Sequence, residues 1–292
     1  MNGTATPDLQ GELSTNGFVR IPSALSSDQI ESLRDACSTA TSRARAGNWP
    51  HIRTLPKQFP PWPSDANGGI WGVQHLLHPD QPGNDVFASS YFGDTVMGPA
   101  KRILGCDDED MVMELYNLLV RPERDFELRW HRDDIPASAS PEEEMKRLSK
   151  PAWHAQWNLA LFEDSSLVVV PGSHKRPRAE VERSADPYEA ELPGMLIVEM
   201  KPGDLVFYDN NILHRGVYRA DVERMTLHGS VGHVRGGNLR ARNVLQHAVG
   251  EWVDQCDFGK LDERTKQRAE GMRKRLVELG SWNKDVGYSL ED

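Results

Sequence analysis

His131, Arg132 and Asp133 form the triplet of the sequence with the clearest chemical meaning, because a histidine and an aspartate stand two residues apart. The triplet ends a run, 126–131, that alternates as a strand does. Side chains two apart in a strand share a face, so His131 and Asp133 would project together and Arg132 away from them. Together they offer two adjacent positions around an octahedral metal ion. The pattern is weak by itself, since a surface histidine paired with an aspartate is its usual explanation.

A second candidate ligand is His214, which follows a Lys-Pro-Gly-Asp turn and an apolar strand predicted over 205–208. A histidine just beyond a buried strand is well placed to face a cavity, and a loop histidine bonded to backbone is the alternative. Two histidines and one carboxylate form the facial set that is typical of non-haem Fe(II) oxygenases. The sequence therefore predicts an iron site formed by His131, Asp133 and His214.

Arg224 stands ten residues after His214, at the start of another predicted strand. If the metal is chelated by a 2-oxo acid, the far carboxylate of that acid needs a fixed cation. Arginine supplies a permanently charged, bidentate partner for a carboxylate. The alternative is an exposed arginine at the edge of a strand.

The segments around these residues predict a mainly β protein with flanking helices. Strands are predicted at 111–120, 126–131, 155–162, 167–170, 195–200, 205–208 and 225–231. Turn signals such as Pro-Gly-Ser and Leu-Pro-Gly separate them. Many short strands at close spacing favour a sandwich or jelly roll.

Three helices are predicted from capping signals and apolar periodicity. Ser26 and Gln29 stand at capping-box spacing and begin a helix that continues to about residue 46. Ser140, followed by proline, begins a helix within an insertion at 134–153. A third, amphipathic helix is predicted over about 262–279.

Segment 48–83 differs from the rest because it holds Trp49, Trp62 and Trp71 among many prolines and glycines. A long ordered loop of this kind is often a lid or a pocket wall, and a surface wrap over the core fits equally well. We predict a single domain over 1–292. It comprises a strand core at about 110–235, an N-terminal helix and aromatic-rich segment within 17–83, and a C-terminal helix.

The composition excludes several functional classes. A formal charge of −10 opposes binding to phosphate backbones, so no nucleic-acid partner is expected. The three cysteines are far apart and fit neither a disulfide framework nor a zinc knuckle, which suits a reducing compartment. No apolar stretch is long enough to span a membrane, and no secretory signal is visible. We therefore expect a cytoplasmic protein with a small-molecule partner, and the sequence does not indicate its oligomeric state.

Residues 126 to about 232 resemble the phytanoyl-CoA dioxygenase family of 2-oxoglutarate oxygenases. The matching stretches are Trp130-His131-Arg132-Asp133-Asp134, Leu167 to Lys175 with its Pro-Gly-Ser-His sequence, Lys201-Pro202-Gly203-Asp204, Leu213-His214-Arg215-Gly216, and Arg224. The opening Gly17 to Pro22 and the helix after it are also similar to the start of that family. The resemblance implies a double-stranded β-helix, a cupin-like jelly roll. It also implies Fe(II) as cofactor and 2-oxoglutarate and O2 as cosubstrates.

The resemblance also implies roles for individual residues. His131, Asp133 and His214 would bind Fe(II), Arg224 would hold the C5 carboxylate of 2-oxoglutarate, and Trp157 and Asn117 would lie beside the cosubstrate. The implied reaction oxidises a small organic molecule and releases succinate and CO2. Hydroxylation is favoured over halogenation, because Asp133 occupies the position that a halogenase keeps free for chloride.

Two departures from the family pattern stand out. The family often has Asn-Gly before the Pro-Gly-Ser-His strand, where this chain has Glu163 to Ser166. The family also often has a serine two residues after the distal histidine, where this chain has Gly216. One cosubstrate contact is therefore in question. Two other interpretations stay open: a non-enzymatic jelly-roll ligand-binding protein, and a cupin-like metal enzyme that does not use 2-oxoglutarate.

Overall fold

The computed structural model describes residues 8–63, 66 and 68–281 and shows two antiparallel sheets flanked by helices. The helices of this part are α1 (Leu9–Asn16), α2 (Ser27–Arg45), α3 (Asn84–Phe92), α4 (Asp94–Leu104), α5 (Pro141–Leu148), α6 (Glu180–Ser184), α7 (Gly237–Gln246) and α8 (Glu263–Leu279). The strands are β1 (Phe18–Ile21), β2 (Ile52–Thr54), β3 (Ile70–Val73), β4 (Met111–Val120), β5 (Phe126–Glu127), β6 (His154–Ala160), β7 (Leu167–Val170), β8 (Leu196–Ile197), β9 (Leu205–Tyr208), β10 (Leu213–Tyr218) and β11 (Met225–His233). Residues 1–7 and 282–292 of the predicted domain lie outside the described residues.

The two sheets have the strand pairing of a jelly roll. The larger sheet has seven strands in the order β1-β9-β6-β11-β4-β3-β2, and the smaller has four in the order β5-β10-β7-β8. The longest ladder joins β11 to β4, from Met225 opposite Val120 to His233 opposite Met111. The predicted mainly β, double-stranded β-helix fold is confirmed.

One face of the larger sheet is covered by helices, which explains why its central strands are buried on both faces. Nearly every residue of β4 is buried, as a strand between a helical layer and a second sheet requires. Side chains from α2, α3, α4, α7 and α8 share the main core with β4, β6, β9 and β11. The predicted capping box of α2 is present, with Ser26 Oγ accepting from Gln29 N and Gln29 Oε1 accepting from Ser26 N.

The space between the two sheets holds apolar clusters and a cavity. A small cluster that includes Leu167, Val169, Val206 and Ile212 packs β7 and the residues after β8 against β6 and β9. Elsewhere between the sheets lies the cavity described below. None of the described helices is long and apolar enough to span a membrane.

Several predicted boundaries differ from the observed ones. The predicted strand 126–131 is only the two-residue β5, followed by an isolated bridge between His131 and His214. The predicted strand 195–200 is only β8. Strand β10 was not predicted, because Gly216 interrupts its apolar pattern. Segment 48–83 is partly regular, since β2 and β3 form a hairpin that extends the larger sheet beyond the predicted core of 110–235. Helices α5 and α8 lie where the sequence predicted them.

Candidate metal centre

His131, Asp133 and His214 converge at one point between the two sheets. Their ligand atoms all lie within 4.8 Å of one another. The Oδ1 atom of Asp133 lies 3.5 Å from Nε2 of His131 and 3.6 Å from Nε2 of His214. Among the described residues, no other group of at least three histidine, cysteine or acidic side chains meets in this way. The set matches the facial 2-His-1-carboxylate arrangement of non-haem iron sites.

The backbone around the first two ligands is not the regular strand that the sequence suggested. His131 forms a single bridge with His214 on β10, in which each backbone N donates to the other residue's carbonyl at 3.0 Å. Asp133 follows in a bend, where its N donates to the carbonyl of Asn210. The bridge, rather than strand alternation, therefore brings the two histidines side by side, with ring centroids 4.3 Å apart.

Backbone carbonyls orient both histidine rings toward the metal position. Nδ1 of His131 lies 2.8 Å from the carbonyl of Arg129, and Nδ1 of His214 lies 2.8 Å from the carbonyl of Ile212. A carbonyl only accepts, so Nδ1 carries the proton in each ring and Nε2 keeps its lone pair for a metal. Burial lowers the pKa of His214 to about 4, with a further contribution from His131. His214 is thus neutral at pH 7, as a ligand must be.

Asp133 is fixed by a side chain that the sequence analysis did not single out. Nε2 of Gln156, on β6, donates to Oδ2 of Asp133 at 3.0 Å and leaves Oδ1 facing the two histidines. Burial alone would raise the pKa of Asp133, but contacts with His131, His214 and Gln156 hold it well below its usual range. The carboxylate is therefore ionised at neutral pH.

A cavity of about 230 Å³ adjoins the ligand atoms and contacts both sheets. The larger sheet contributes polar groups from β6 and β11 together with an aromatic surface, and the smaller sheet contributes β10 and part of β7. We call the three rings of Trp62, Trp71 and Tyr218 the aromatic wall; they contact one another in the order given. The cavity is lined by these rings and by Arg53, Gln156, Asn158, His214, Gly216, Arg224 and His228, among others. Segment 48–83 thus forms a pocket wall.

Arg224 lies beside this cavity and is held by a buried acid. Its Nε donates to Oδ2 of Asp164 at 3.0 Å, and its guanidinium stacks on the ring of Tyr218 at 4.3 Å. Burial opposes the charge, but Asp164 outweighs burial and raises the pKa of Arg224 above its usual value. The Nη1 atom is buried without a hydrogen-bond partner among the described residues. A carboxylate in the cavity would satisfy this donor.

The glycine that replaces the family serine has a local cause. A Cβ atom at Gly216 would come within 2.1 Å of the hydroxyl oxygen of Tyr218. The phenol therefore occupies the space that a serine side chain would need, next to the strand position that follows His214. The Tyr218 hydroxyl supplies a polar group where the serine hydroxyl is missing.

The structure does not bring Trp157 to the cavity. Its indole is fully buried on the helical face of β6, where it packs against Tyr91, Tyr116 and Phe207. Strand alternation explains this position, because neighbouring residues of β6 point to opposite faces. The residues on either side of it, Gln156 and Asn158, therefore line the cavity instead.

Asn117 also lies outside the cavity lining. It is buried on β4, and its Oδ1 accepts from the backbone N of His75 at 3.2 Å. Asn117 shares a face of β4 with Leu115 and Leu119, which do line the cavity. The carboxamide therefore supports the segment after β3, and neither it nor Trp157 meets the three metal ligands.

Three polar residues that line the cavity, Gln156, Asn158 and Arg53, were not predicted from the sequence. Gln156 and Asn158 alternate with Ala155, Trp157 and Leu159, so polar residues on one face of a predicted strand were a usable signal. Arg53 had no such signal, because it lies in a segment whose strands were not predicted.

The family of the chain follows from the comparison of its sequence with family models. The phytanoyl-CoA dioxygenase (PhyH) model matches residues 13–217, which is more than half of the chain. The chain belongs to the phytanoyl-CoA dioxygenase family. It is accordingly a 2-oxoglutarate-dependent non-haem iron oxygenase, with Fe(II), 2-oxoglutarate and O2 as its cofactor and cosubstrates. No curated protein sequence gives a significant match.

Solved structures with the same fold come from several organisms. AviO1 from Streptomyces viridochromogenes Tue57 is 20% identical with a TM-score of 0.55, over 77% of this chain and 93% of that one. EctD from S. alaskensis, solved with 2-oxoglutarate and 5-hydroxyectoine, is 18% identical with a TM-score of 0.58, over 80% and 79% of the chains. HygX from Streptomyces hygroscopicus, solved with nickel and 2-oxoglutarate, is 16% identical with a TM-score of 0.54, over 79% and 88%. At these identities the likeness shows the shared fold of the family.

Proposed function

We propose that His131, Asp133 and His214 bind Fe(II), that Arg224 binds the C5 carboxylate of 2-oxoglutarate, and that the enzyme hydroxylates a small organic substrate. The observation that carries this proposal is the convergence of one carboxylate and two Nε2 atoms at the cavity. Nη1 of Arg224, which has no hydrogen-bond partner among the described residues and lies beside the same cavity, supports the cosubstrate assignment.

The donor set fits Fe(II) in number and in chemistry. His131, Asp133 and His214 would supply three ligands to Fe(II), and an octahedral ion would then accept a bidentate 2-oxo acid and one further ligand. Bound Fe(II) and 2-oxoglutarate would supply the oxidation, in which O2 and 2-oxoglutarate are consumed, succinate and CO2 are released and one oxygen atom enters the substrate.

The residues of the chain have separate tasks in this reaction. Gln156 holds Asp133 in place, and the carbonyls of Arg129 and Ile212 keep both imidazoles in the tautomer that presents Nε2. Arg224, itself fixed by Asp164 and by stacking on Tyr218, would bind the carboxylate of the cosubstrate that lies away from the metal.

Hydroxylation is the outcome that we propose among the oxidations open to the family. Asp133 would supply the third protein ligand. The coordination position that a halogenase leaves free for a halide is therefore occupied. The EctD structure, which has the same fold, contains 5-hydroxyectoine together with 2-oxoglutarate. Mass spectrometry of the product tests this point, since hydroxylation adds one oxygen atom, whereas epimerisation leaves the mass unchanged and desaturation removes two hydrogens.

Thermal-shift titration with Mn(II) and 2-oxoglutarate tests the proposed site before any substrate is known. A ligand that binds only the folded state stabilises it by RT ln(1 + [L]/Kd), about 2.7 kcal/mol at a hundredfold excess over Kd. We expect 2-oxoglutarate to stabilise the protein only when Mn(II) is present. If Mn(II) stabilises the protein and 2-oxoglutarate adds nothing to that effect, a cupin-like enzyme without 2-oxoglutarate is favoured. If neither compound changes the melting temperature, a non-enzymatic ligand-binding protein is favoured.

The remaining predictions from the sequence concern organisation and partners. We propose that residues 1–292 form one domain around the two sheets and that nucleic acid is not a partner. The cytoplasmic location stays a prediction based on the cysteine pattern and composition.

A further inference from the structure

Arg53, on β2, differs from the buried arginines of this protein. Five arginines are buried in the described part of the chain, and each forms an ion pair with a carboxylate. They are Arg132 and Arg178 with Glu144, Arg215 with Glu127, Arg224 with Asp164, and Arg268 with Asp94 and Asp108. Arg53 lines the cavity yet has no ion pair and no hydrogen bond from its guanidinium within the described residues, and its Nε is enclosed without a partner.

The position of the Arg53 guanidinium is nevertheless defined by its surroundings. Its Cζ lies 4.9 Å from the ring centroid of Trp62 and 5.1 Å from that of Trp71. The side chain crosses Gly72 on the neighbouring strand, where a Cβ atom would come within 3.0 Å of Arg53 Cδ. Burial lowers the pKa of Arg53 to about 10, so the group remains charged at neutral pH.

A charge held in this way is costly unless a ligand neutralises it. Arg53 is half-buried with its Nε enclosed, and partial removal of a guanidinium from water without a counter-ion is unfavourable. Cation–π contacts with two indoles offset only part of that cost. The carboxylate that acts most strongly on Arg53 is Asp133, whose own charge faces the proposed metal position. An anion that enters the cavity would therefore find Arg53 oriented and unpaired.

The two carboxylates of 2-oxoglutarate already have partners under the proposed function. One chelates the metal, and the other binds Arg224. Contacts between the two arginines pass through the aromatic wall, from Arg224 to Tyr218, then to Trp71 and then to Arg53. Arg53 is thus left for a different anion.

We infer that Arg53 binds an anionic group of the primary substrate, so that the substrate is an organic acid carrying a carboxylate, phosphate or sulfate. This inference rests on the proposed function, because it assigns both carboxylates of 2-oxoglutarate elsewhere. The same anion-binding chemistry could serve the cosubstrate, and the experiment below separates the two sources.

The test uses the full chain loaded with Mn(II) and 2-oxoglutarate, without turnover. Benzoate and phenyl phosphate serve as anionic probes that suit an aromatic wall, and benzamide and benzyl alcohol serve as neutral counterparts. Binding is measured by calorimetry at constant ionic strength for the wild type, Arg53→Gln and Arg53→Lys. The matched control is Arg235→Gln, because Arg235 also stacks on an indole, that of Trp153, but lies outside the cavity lining.

We expect the wild type to bind at least one anionic probe at least about tenfold more tightly than its neutral counterparts. Arg53→Gln should remove this preference, Arg53→Lys should keep part of it, and Arg235→Gln should keep all of it. The affinity for 2-oxoglutarate should stay within about twofold of wild type in Arg53→Gln. The ligand-free melting temperature of that variant should not fall appreciably, since an unpaired charge has been removed.

Three results would overturn the inference. The first is that the wild type binds the acids and their neutral counterparts equally well, and the second is that it binds neither acid. The third is that Arg53→Gln loses affinity for 2-oxoglutarate but still binds the anionic probes as the wild type does. The last result would assign Arg53 to the cosubstrate. If the wild type fails to bind 2-oxoglutarate with Mn(II), the proposed function is contradicted separately. The probe titrations are then repeated on ligand-free protein, where the Arg53→Gln comparison still decides the inference.

Discussion

Each side chain that faces the candidate metal position is fixed by a further polar contact. At the aromatic wall, by contrast, the guanidinium of Arg53 has no hydrogen-bond partner or counter-ion among the described residues. Carbonyls hold His131 and His214, and Gln156 holds Asp133. Arg53 is positioned by stacking alone. Under the two proposals made above, this contrast distinguishes the site of a permanently bound metal from the site of a ligand that binds and dissociates. Donors fixed in advance lose little entropy on binding metal, and an unpaired charge gains most from a transient anion.

The largest effect is expected when the metal centre is broken directly. His131→Ala or Asp133→Ala should reduce substrate-coupled succinate formation to background, because each removes one of the three proposed iron ligands. His233→Ala is the matched control, since His233 lies at the end of β11 outside the cavity lining. Succinate detection with Fe(II), 2-oxoglutarate and a metabolite library provides the measurement. Retained turnover in either ligand variant would show that the iron site has been misassigned.

The next largest effect is expected on the affinity for 2-oxoglutarate, with the affinity for the metal unchanged. Arg224→Gln should weaken the binding of 2-oxoglutarate, seen as a higher Kd or a higher apparent KM for this cosubstrate, while iron content stays unchanged. A hydrogen bond to a charged group contributes about 1.5–3 kcal/mol, which corresponds to about a 10- to 100-fold change in Kd. Arg219→Gln is the control, because Arg219 pairs with Asp221 at the surface. Wild-type affinity for the cosubstrate in Arg224→Gln would remove Arg224 from the cosubstrate site.

A smaller effect tests whether the contacts behind the ligands matter. Gln156→Leu removes the hydrogen bond to Oδ2 of Asp133 but leaves the three ligands in place. Residues that orient metal ligands typically contribute about 10- to 100-fold to metal affinity, and we expect the low end of that range for a single hydrogen bond. Competition for Mn(II) with a chelator of known affinity measures the change. Wild-type metal affinity in this variant would mean that Asp133 is held by the fold alone.

The smallest effect on ligand binding is expected at Trp157. Trp157→Phe should leave the affinity for 2-oxoglutarate unchanged, because the indole lies on the helical face of β6, and its Nε1 has no hydrogen-bond partner among the described residues. It should lower the free energy of unfolding by about 1–2 kcal/mol, less than the roughly 3–5 kcal/mol of truncation to alanine. Denaturant unfolding and calorimetry provide the two values. A clear loss of 2-oxoglutarate affinity without loss of stability would place Trp157 at the cosubstrate after all.

The sequence predicts the metal centre better than the rest of the cavity because its signals are local. His131 and Asp133 stand two apart, and the Lys-Pro-Gly-Asp turn and strand β9 precede His214 at short range. The reason given for the first pair was incomplete, since a bridge to β10, not a continuous strand, sets their geometry. That bridge joins residues far apart in the chain, and no local pattern reports it.

The other parts of the cavity depend on pairing that local patterns do not encode. Arg53 reaches the cavity because β2 and β3 extend the larger sheet. The sequence does not predict these strands, because a segment rich in proline and tryptophan lacks the alternating pattern of a strand. The resemblance implies Trp157 beside the cosubstrate, whereas the alternation of β6 directs Gln156 and Asn158, and not Trp157, into the cavity. From the sequence, Gly216 predicts the loss of a cosubstrate contact that the family makes through serine. The structure shows that the Tyr218 hydroxyl lies in the space that a serine side chain would need.

The most direct test of the central assignment is anaerobic calorimetric titration of 2-oxoglutarate into the wild type and His214→Ala, each with and without Fe(II). We predict saturable binding by the wild type only when Fe(II) is present, and no metal-dependent binding by His214→Ala. Binding of equal affinity without metal, or unchanged metal-dependent binding in the variant, would contradict the assignment of His131, Asp133 and His214 as the iron site.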